Sequence, residues 1–242
     1  MAPDVSSQPH LNRALDRYPS TSQPPLQSGD RLTRPDFERR YAASPQIKKA
    51  ELIEGFVYVA SPLRHDQHGK PHSRIITWLG TYQALTPGID LSDAPTVRLD
   101  DANESQPDAV LLLESWAGGQ TRISADGYLE GAPELIVEIA ASSAAIDTTL
   151  KKQVYQRSGV REYLIWQTHD HRLDWFCLEA TGYQVLLPDA DGILRSRVFP
   201  GLWLAVDALL AEQMATVLAT VQAGLQSAAH AAFVEQIQRS RS

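Results

Sequence analysis

The alternation of apolar and polar positions predicts several short strands along the chain. Residues 51–60 place β-branched and aromatic side chains on either side of Glu54-Gly55, which is typical of two strands joined by a tight turn. Near-continuous apolar runs at 108–113 and 134–140 predict strands that are covered on both faces. We expect residues 96–99 to pair with 108–113. Three further strands are predicted at 162–167, 173–178 and 183–187.

Apolar residues spaced three or four apart predict helices between and after these strands. Such segments lie at 33–42, 71–85, 146–157 and 206–237, the last as one or two amphipathic helices. Thr33 and Pro35 are typical of a helix start, and Gly159 is typical of a helix end. Residues 61–71 are expected to form a loop.

The order of these elements predicts an α+β (α/β-like) domain with a mixed central β-sheet flanked by helices. Residues 1–30 are rich in Pro, Ser and Gln, so we expect a disordered N-terminal arm. The folded domain is then expected at 31–205, with a C-terminal helical extension at 206–242. These C-terminal helices could support a homodimer, although an amphipathic stripe more often packs on its own domain.

Composition narrows the class of protein. A chain of 242 residues fits one large domain, and its single cysteine, Cys177, excludes an internal disulfide framework and a cysteine-based zinc site. The N-terminal segment lacks a basic region followed by an apolar run, so no secretory signal is expected. No stretch approaches the roughly 18 uninterrupted apolar residues of a membrane span. The expectation is a soluble cytoplasmic protein without a membrane partner.

The charge distribution says more than the net charge of −7, which argues against a simple polyanion-binding surface. Residues 31–74 contain nine Lys or Arg against five Asp or Glu, whereas 90–138 contain two Arg against eleven acids. A segment this acidic cannot receive a phosphate unless cations neutralise it. The pattern fits a metal site better than direct contact with nucleic acid, although most of these acids are explained as a solvated face.

Two of the acids, Asp108 and Glu138, lie where apolar strands meet polar sequence, and Lys151 follows on a predicted helix. A carboxylate there must be solvated, paired or bound to a cation, because burying it alone is costly. Two carboxylates suit Mg²⁺, which can polarise a phosphoryl oxygen and help to generate hydroxide. Lys151 would orient the attacking water or stabilise the developing charge. From spacing alone, roles as turn residues or helix-dipole partners are equally compatible.

Five segments of the chain together resemble a known family. They are Glu-Leu-Ile-Glu-Gly (51–55), Gln-Pro-Asp (106–108), Pro-Glu-Leu-Ile-Val-Glu-Ile-Ala-Ala-Ser-Ser (133–143), Asp-x-x-x-Lys-x-x-x-Tyr (147–155) and Gly-Val-Arg-Glu-Tyr-Leu-Ile-Trp (159–166). In order and spacing they resemble the Uma-two restriction-endonuclease-like family, which belongs to the PD-(D/E)XK nuclease superfamily. The resemblance covers roughly residues 32–205.

This resemblance implies a restriction-endonuclease-like core and cleavage of DNA that depends on Mg²⁺ or Mn²⁺. Asp108 matches the Asp of the Pro-Asp motif, Glu138 matches the second acid, and Lys151 matches the family's helix lysine. The superfamily lysine should lie two residues after the second acid, but Ala140 occupies that position. Lys151 is the natural substitute.

Other polar residues are weaker candidates. Glu51 matches a family acid and could be a third acidic ligand. The alternative is an exposed charge at the end of a strand. His72 matches a family histidine at a helix N-terminus, where it could contact a phosphate or a water. His65 and His68 form a His-x-x-His pair, but no nearby cysteine or acid completes a usual zinc set.

The leading hypothesis is a metal-dependent endodeoxyribonuclease in which Asp108 and Glu138 hold the metal and Lys151 assists. One alternative is a non-catalytic module that binds nucleic acid or protein on a degenerate nuclease scaffold. The acidic net charge and Ala140 favour that alternative. Another is a hydrolase of a different phosphorylated substrate, such as a nucleotide. The sequence specifies neither a recognition sequence nor a biological role.

Overall fold

A computed structural model describes residues 24–141 and 144–241 of the chain. In this part the helices are α1 (Arg34–Ala42), α2 (Lys70–Ala84), α3 (Ala144–Ile146), α4 (Lys152–Ser158), α5 (Val206–Leu210), α6 (Met214–Leu225) and α7 (Ala228–Arg239). Turns of π-helix at His65–Gly69 and Asp147–Lys151 lead directly into α2 and α4, and a 3₁₀ turn spans Ser115–Ala117.

The strands of the described residues form two six-stranded sheets and a separate hairpin. The first sheet has the order β2 (Phe56–Val59), β1 (Ala50–Ile53), β5 (Asn103–Ser105), β4 (Val97–Asp100), β8 (Leu129–Glu130), β7 (Arg122–Ile123). The second has the order β12 (Gly182–Val185), β11 (Arg172–Glu179), β10 (Glu162–Gln167), β9 (Leu135–Ala140), β6 (Ala109–Leu113), β3 (Ile89–Asp93). The hairpin joins β13 (Ile193–Arg195) to β14 (Trp203–Ala205).

The second sheet is mixed, because β9 runs parallel to β10 and antiparallel to β6. Each residue of β6 and β9 is buried, as expected of the two near-continuous apolar runs. The predicted α+β class with a mixed sheet flanked by helices is therefore confirmed.

The predicted pairing of 96–99 with 108–113 is wrong. Strand β4 pairs with β5 and β8 in the first sheet, whereas β6 pairs with β3 and β9 in the second. Two strands caused the error. Asn103–Ser105 is wholly polar yet buried, and Ile89–Asp93 carries only two apolar residues, so neither has the apolar signature of a strand.

Three further elements differ from the sequence expectations. The π-helical turn that begins at His65 leads directly into α2, so part of the predicted 61–71 loop is helical. The segment 206–237 forms three helices instead of one or two. In the described part of the chain no single helix is long and apolar enough to cross a bilayer, although α6 and α7, bent by 61°, reach such a length and composition as a pair.

Two main hydrophobic clusters lie on opposite faces of the second sheet. One face packs Leu111 and Val137 against α2 and α6 through side chains such as Trp78 and Val221. The other packs the second sheet against α4 and the first sheet; it joins Ile53, Val97, Val110, Ile136, Tyr155 and Tyr163. This second cluster brings the end of β1 close to the ends of β6 and β9.

The N-terminal part of the domain has its own small core, in which Phe37 of α1 meets Leu52 of β1. Residues 24–30 of the predicted arm pack here, since Leu26 is buried and Arg40 donates to the carbonyl oxygens of Pro24 and Pro25. Residues 1–23 lie outside the described residues.

Candidate active site

Strand register brings Asp108 and Glu138 side by side. Ala109 pairs with Val137 in the antiparallel ladder, so Asp108, one residue before β6, lies opposite Glu138. Directly opposed residues of an antiparallel pair direct their side chains to the same face. The amide of Ile139 also donates to Asp108 Oδ2 at 2.7 Å, which ties the first acid to the strand that carries the second.

Asp108 is buried and held by two basic side chains from other segments. His68 Nε2 lies 3.0 Å from Asp108 Oδ1, and Lys49 Nζ lies 3.5 Å from the same oxygen. Burial alone would raise the pKa of the Asp108 carboxyl, but the hydrogen bond from His68 and the charge of Lys49 lower it below its usual range. The carboxyl is therefore ionised at neutral pH.

Glu138 is equally buried but lies in a more acidic environment. Its Oε1 accepts hydrogen bonds from Lys151 Nζ at 3.0 Å and from the Tyr155 hydroxyl at 2.9 Å. The pKa of Glu138 is raised to about 8, because burial and the carboxyls of Asp147 and Asp108 outweigh the opposing charge of Lys151. Glu138 is thus a group that a nearby cation would strongly favour in its ionised form.

Lys151 lies inside a ring of three carboxylates. Its Nζ is 2.8 Å from Glu51 Oε2, 3.0 Å from Glu138 Oε1 and 3.3 Å from Asp147 Oδ1. The π-helical turn Asp147–Lys151 places Asp147 and Lys151 four residues apart on one face. Burial would lower the pKa of Lys151, but Glu138 and Glu51 raise it well above its usual value, so the ammonium stays charged.

Glu51 connects this cluster to the loop before Asp108. One of its carboxylate oxygens accepts from the amide of Gln106 at 2.7 Å, and the other contacts Lys151. The predicted third acid is therefore part of the cluster, and it is bonded to both the loop that precedes Asp108 and the buried ammonium.

His72 lies behind the site and not in it. Its Nε2 is 2.9 Å from the main-chain oxygen of Asp108 and 3.0 Å from Asp93 Oδ1. Both partners are acceptors, so Nε2 carries the proton and donates. In this position the histidine fixes the backbone of Asp108 to α2, which differs from the expected contact with a phosphate or water.

Three residues of the cluster were missed in the sequence. His68 was considered only as half of a zinc pair, yet it bonds Asp108, while His65 is exposed. Lys49 could have been found from strand periodicity, since it lies two residues before Glu51 and shares its face. Asp147 could have been found from its i,i+4 spacing to Lys151.

A pocket of about 750 Å³ opens onto these groups. Its sides include Tyr58 from β2, Leu63 and Arg64 from the loop after β2, and the residues Ile146 and His169. Four carboxyls against two ammonium groups and one guanidinium leave a formal charge of −1 before the histidines are counted. The charged groups that border the pocket are Lys49, Glu51, Arg64, Asp108, Glu138, Asp147 and Lys151.

This arrangement fits a hard divalent cation. Carboxylate oxygens on facing strands are the ligand type that Mg²⁺ and Mn²⁺ bind, and the net negative charge of the pocket favours a cation. Between residues 24 and 141 and between 144 and 241, no cluster of three or more His, Cys, Asp or Glu side chains has the arrangement of a metal site. Asp108 and Glu138 would therefore hold the ion together with water or substrate oxygens, which is common for Mg²⁺.

Comparison with known proteins places the fold. The family Uma2, described as "Putative restriction endonuclease", matches residues 34–207. A crystal structure described as a putative nuclease belonging to DUF820, from Anabaena variabilis ATCC 29413, superposes with a TM-score of 0.55 at 14% sequence identity. The similarity covers 72% of this chain and 96% of that one, and it shows a shared fold. No functionally curated protein matches the chain. Because the family model matches most of the length of this chain, the chain belongs to the Uma2 family.

Proposed function

We propose that this protein is a metal-dependent endonuclease of the PD-(D/E)XK type that hydrolyses phosphodiester bonds of DNA. The observation that carries the proposal is the pair Asp108 and Glu138, delivered by neighbouring antiparallel strands to the floor of an open pocket. The description of the Uma2 family and the nuclease fold of the Anabaena protein support the same reaction class.

In the proposed reaction, a water oxygen forms a bond to phosphorus while the bond from phosphorus to one ester oxygen breaks. The water loses a proton, the departing oxygen gains one, and the products are a phosphate monoester and an alcohol. Bound Mg²⁺ or Mn²⁺ would supply Lewis acidity at the phosphoryl group and lower the pKa of a water molecule.

The protein's own groups prepare this site before any substrate arrives. Ile139 and His68 hold the Asp108 carboxylate in one orientation through Oδ2 and Oδ1. Lys151 and Tyr155 both bond Oε1 of Glu138, so the described hydrogen bonds fix that carboxyl through a single oxygen. Lys151 assists in this proposal by orienting Glu138 and by lowering its pKa toward the ionised form, because an adjacent positive charge favours the carboxylate.

The test is cleavage of matched DNA substrates, both duplex and single-stranded, with Mg²⁺ or Mn²⁺. Asp108→Asn and Glu138→Gln should each reduce the single-turnover rate by at least about 100-fold, as removal of a group that organises the reaction commonly does. Asp90→Asn is the matched control, since it removes an exposed carboxyl from β3 outside the pocket. It should cleave like the wild type.

Equal rates for all four proteins would remove Asp108 and Glu138 from the reaction. Absence of cleavage by the wild type on every DNA substrate, with metal binding retained, would instead favour a different phosphorylated substrate. Absence of both cleavage and metal binding would favour the non-catalytic alternative.

A further inference from the structure

The two lysines of the site differ in how their ammonium groups are engaged. An ammonium has three N–H donors. Lys151 has three carboxylate neighbours within 3.3 Å, and its side chain is only 4% exposed. Among residues 24–141 and 144–241, Lys49 has one ionic neighbour within 4 Å, Asp108 at 3.5 Å, and its side chain is 25% exposed.

This difference decides which ammonium can meet a substrate. For Lys151 to bond a phosphoryl oxygen it would have to give up one of its buried carboxylates and leave that charge without its partner, which is costly. Lys49 can donate to an incoming oxygen while it keeps its contact with Asp108. Both lysines border the pocket, but only Lys49 presents an appreciable surface to it.

The backbone around Lys49 is well suited to hold a reacting group. Lys49 directly precedes β1, and its main-chain oxygen accepts from the amide of Ala60 at 3.0 Å, which closes the β1–β2 hairpin. The same strand carries Glu51, which is bonded to the buried cluster. The ammonium therefore extends from a fixed strand end, and fixed elements position functional groups more accurately than loops.

We propose that Lys49 is the catalytic lysine that contacts the scissile phosphate, and that Lys151 is a positioning residue which acts through Glu138. This inference rests on the proposed nuclease function. Lys49 donates a hydrogen bond to a phosphoryl oxygen and stabilises the negative charge that develops there as water attacks. Lys49, directly before β1, supplies the ammonium that the superfamily lysine would supply at the position of Ala140 in β9.

The first experiment compares single-turnover cleavage by Lys49→Met and Lys48→Met. Lys48 is the matched control, because it is the preceding lysine, is exposed, and its ammonium donates to the main-chain oxygen of Pro45. Lys49→Met should lose about 100-fold in rate, as loss of one transition-state donor typically does. Its thermal midpoint should stay close to that of the wild type. Lys48→Met should retain the wild-type rate.

Chemical rescue separates a catalytic lysine from a structural one. The pocket of about 750 Å³ can admit a small amine beside a shortened side chain. Ethylammonium should therefore restore more of the rate of Lys49→Ala, at a side chain that is 25% exposed, than of Lys151→Ala, at a side chain that is only 4% exposed. If Lys49 merely pairs with Asp108, its removal would lower the stability of the protein, and added amine would not change the rate constant.

A binding measurement in EDTA tests the contact without any cleavage. The affinity of a fluorescent oligonucleotide is followed against salt concentration for wild type, Lys48→Met, Lys49→Met and Lys151→Met. Loss of one phosphate contact lowers the slope of log affinity against log salt by about 1. We expect that change for Lys49→Met alone among the three variants.

The outcomes separate the inference from the proposed function. If the wild type cleaves DNA while Lys49→Met keeps both its rate and its salt slope, the inference is overturned and the nuclease proposal stands. If the wild type binds DNA without cleaving it, the nuclease proposal fails, and the salt slope still decides whether Lys49 contacts phosphate. If the wild type neither binds nor cleaves DNA, both are overturned.

Discussion

Replacing Lys151 with methionine is expected to destabilise the protein in a way that depends on pH. Methionine has a similar length and is apolar, so the change removes one positive charge and little volume. The three carboxylates that now surround the ammonium, at 2.8, 3.0 and 3.3 Å, would then lose their shared partner in a buried position. The folded variant can compensate for the lost charge by binding one proton more than the wild type binds, on one of these carboxyls.

The cost of that proton sets the magnitude. A glutamate has an ordinary pKa of 4.5, and keeping it protonated costs about 1.4 kcal/mol for each pH unit above that value. At about pH 7.5 the penalty is roughly 4 kcal/mol, and at about pH 5.5 it is roughly 1.4 kcal/mol. Because the carboxyl pKa in the folded variant is raised above its unfolded value, the relative stability is greatest below that unfolded value and is lost as the pH rises.

The assay is urea unfolding in EDTA, followed by circular dichroism, for wild type and variant at several pH values. Lys152→Met is the matched control on the same helix. The half-buried Lys152 ammonium lies 3.6 Å from the centre of the Phe176 ring, a contact worth about 0.5–2 kcal/mol. Its loss should be small and independent of pH.

A second variant tests the cause of the loss. Adding Glu138→Gln to Lys151→Met removes one acid along with the ammonium, so the double variant should recover at least about half of the lost stability. The argument would be refuted if Lys151→Met were as stable as the wild type at neutral pH. It would also be refuted if the difference between them stayed constant as the pH fell.

Three further predictions concern the metal, a helix contact and a buried acid. Mg²⁺ or Mn²⁺ at about 100 times its dissociation constant should stabilise the wild type by about 2.7 kcal/mol in thermal unfolding, and Asp108→Asn should abolish that gain. Gly224→Ala should destabilise the protein by about 1–3 kcal/mol or more, because the new Cβ would lie 2.2 Å from the carbonyl oxygen of Gly201. The control is Gly80→Ala in α2, whose Cβ meets only an ordinary contact at 3.7 Å and which should stabilise by up to about 1 kcal/mol. Equal unfolding free energies for the two variants would contradict this. Ser196→Ala should cost about 1–3 kcal/mol in urea unfolding, because the Ser196 hydroxyl donates to the buried Glu162 at 2.8 Å and accepts from the Phe199 amide at 2.7 Å; a loss below about 0.5 kcal/mol would contradict it.

The strands that carry the two central acids could be predicted because both are near-continuous apolar runs; Asp108 directly precedes one and Glu138 lies near the end of the other. The helical position of Lys151 could be predicted as well, because the segment around it has a regular pattern and ends at a glycine. These are local signals, and each element contains the information that defines it. The order of strands in the sheets was harder, because the polar strand Asn103–Ser105 is buried without any apolar residue.

The partners of Asp108 could not be predicted, because they depend on long-range packing. Lys49 and Asp108 are 59 residues apart in sequence, and they meet only because β1 and β6 belong to different sheets that pack face to face. His68 lies 40 residues from Asp108, in a segment that has no apolar periodicity before the start of α2. Sequence periodicity identifies elements, but it does not report which ends converge.

The division of the charged cluster between two sheets has a consequence for the newly made chain. Glu51 and Lys49 are anchored by the early hairpin, whereas Lys151 and Glu138 belong to segments about 90 to 100 residues later. Neither half alone can assemble the full set of charges, so under the proposed function an emerging or partly unfolded polypeptide would not cleave nucleic acid. The proposed active site would then be complete only when folding is complete. Docking of the β1–β2 hairpin on the rest of the domain would be the step that completes it.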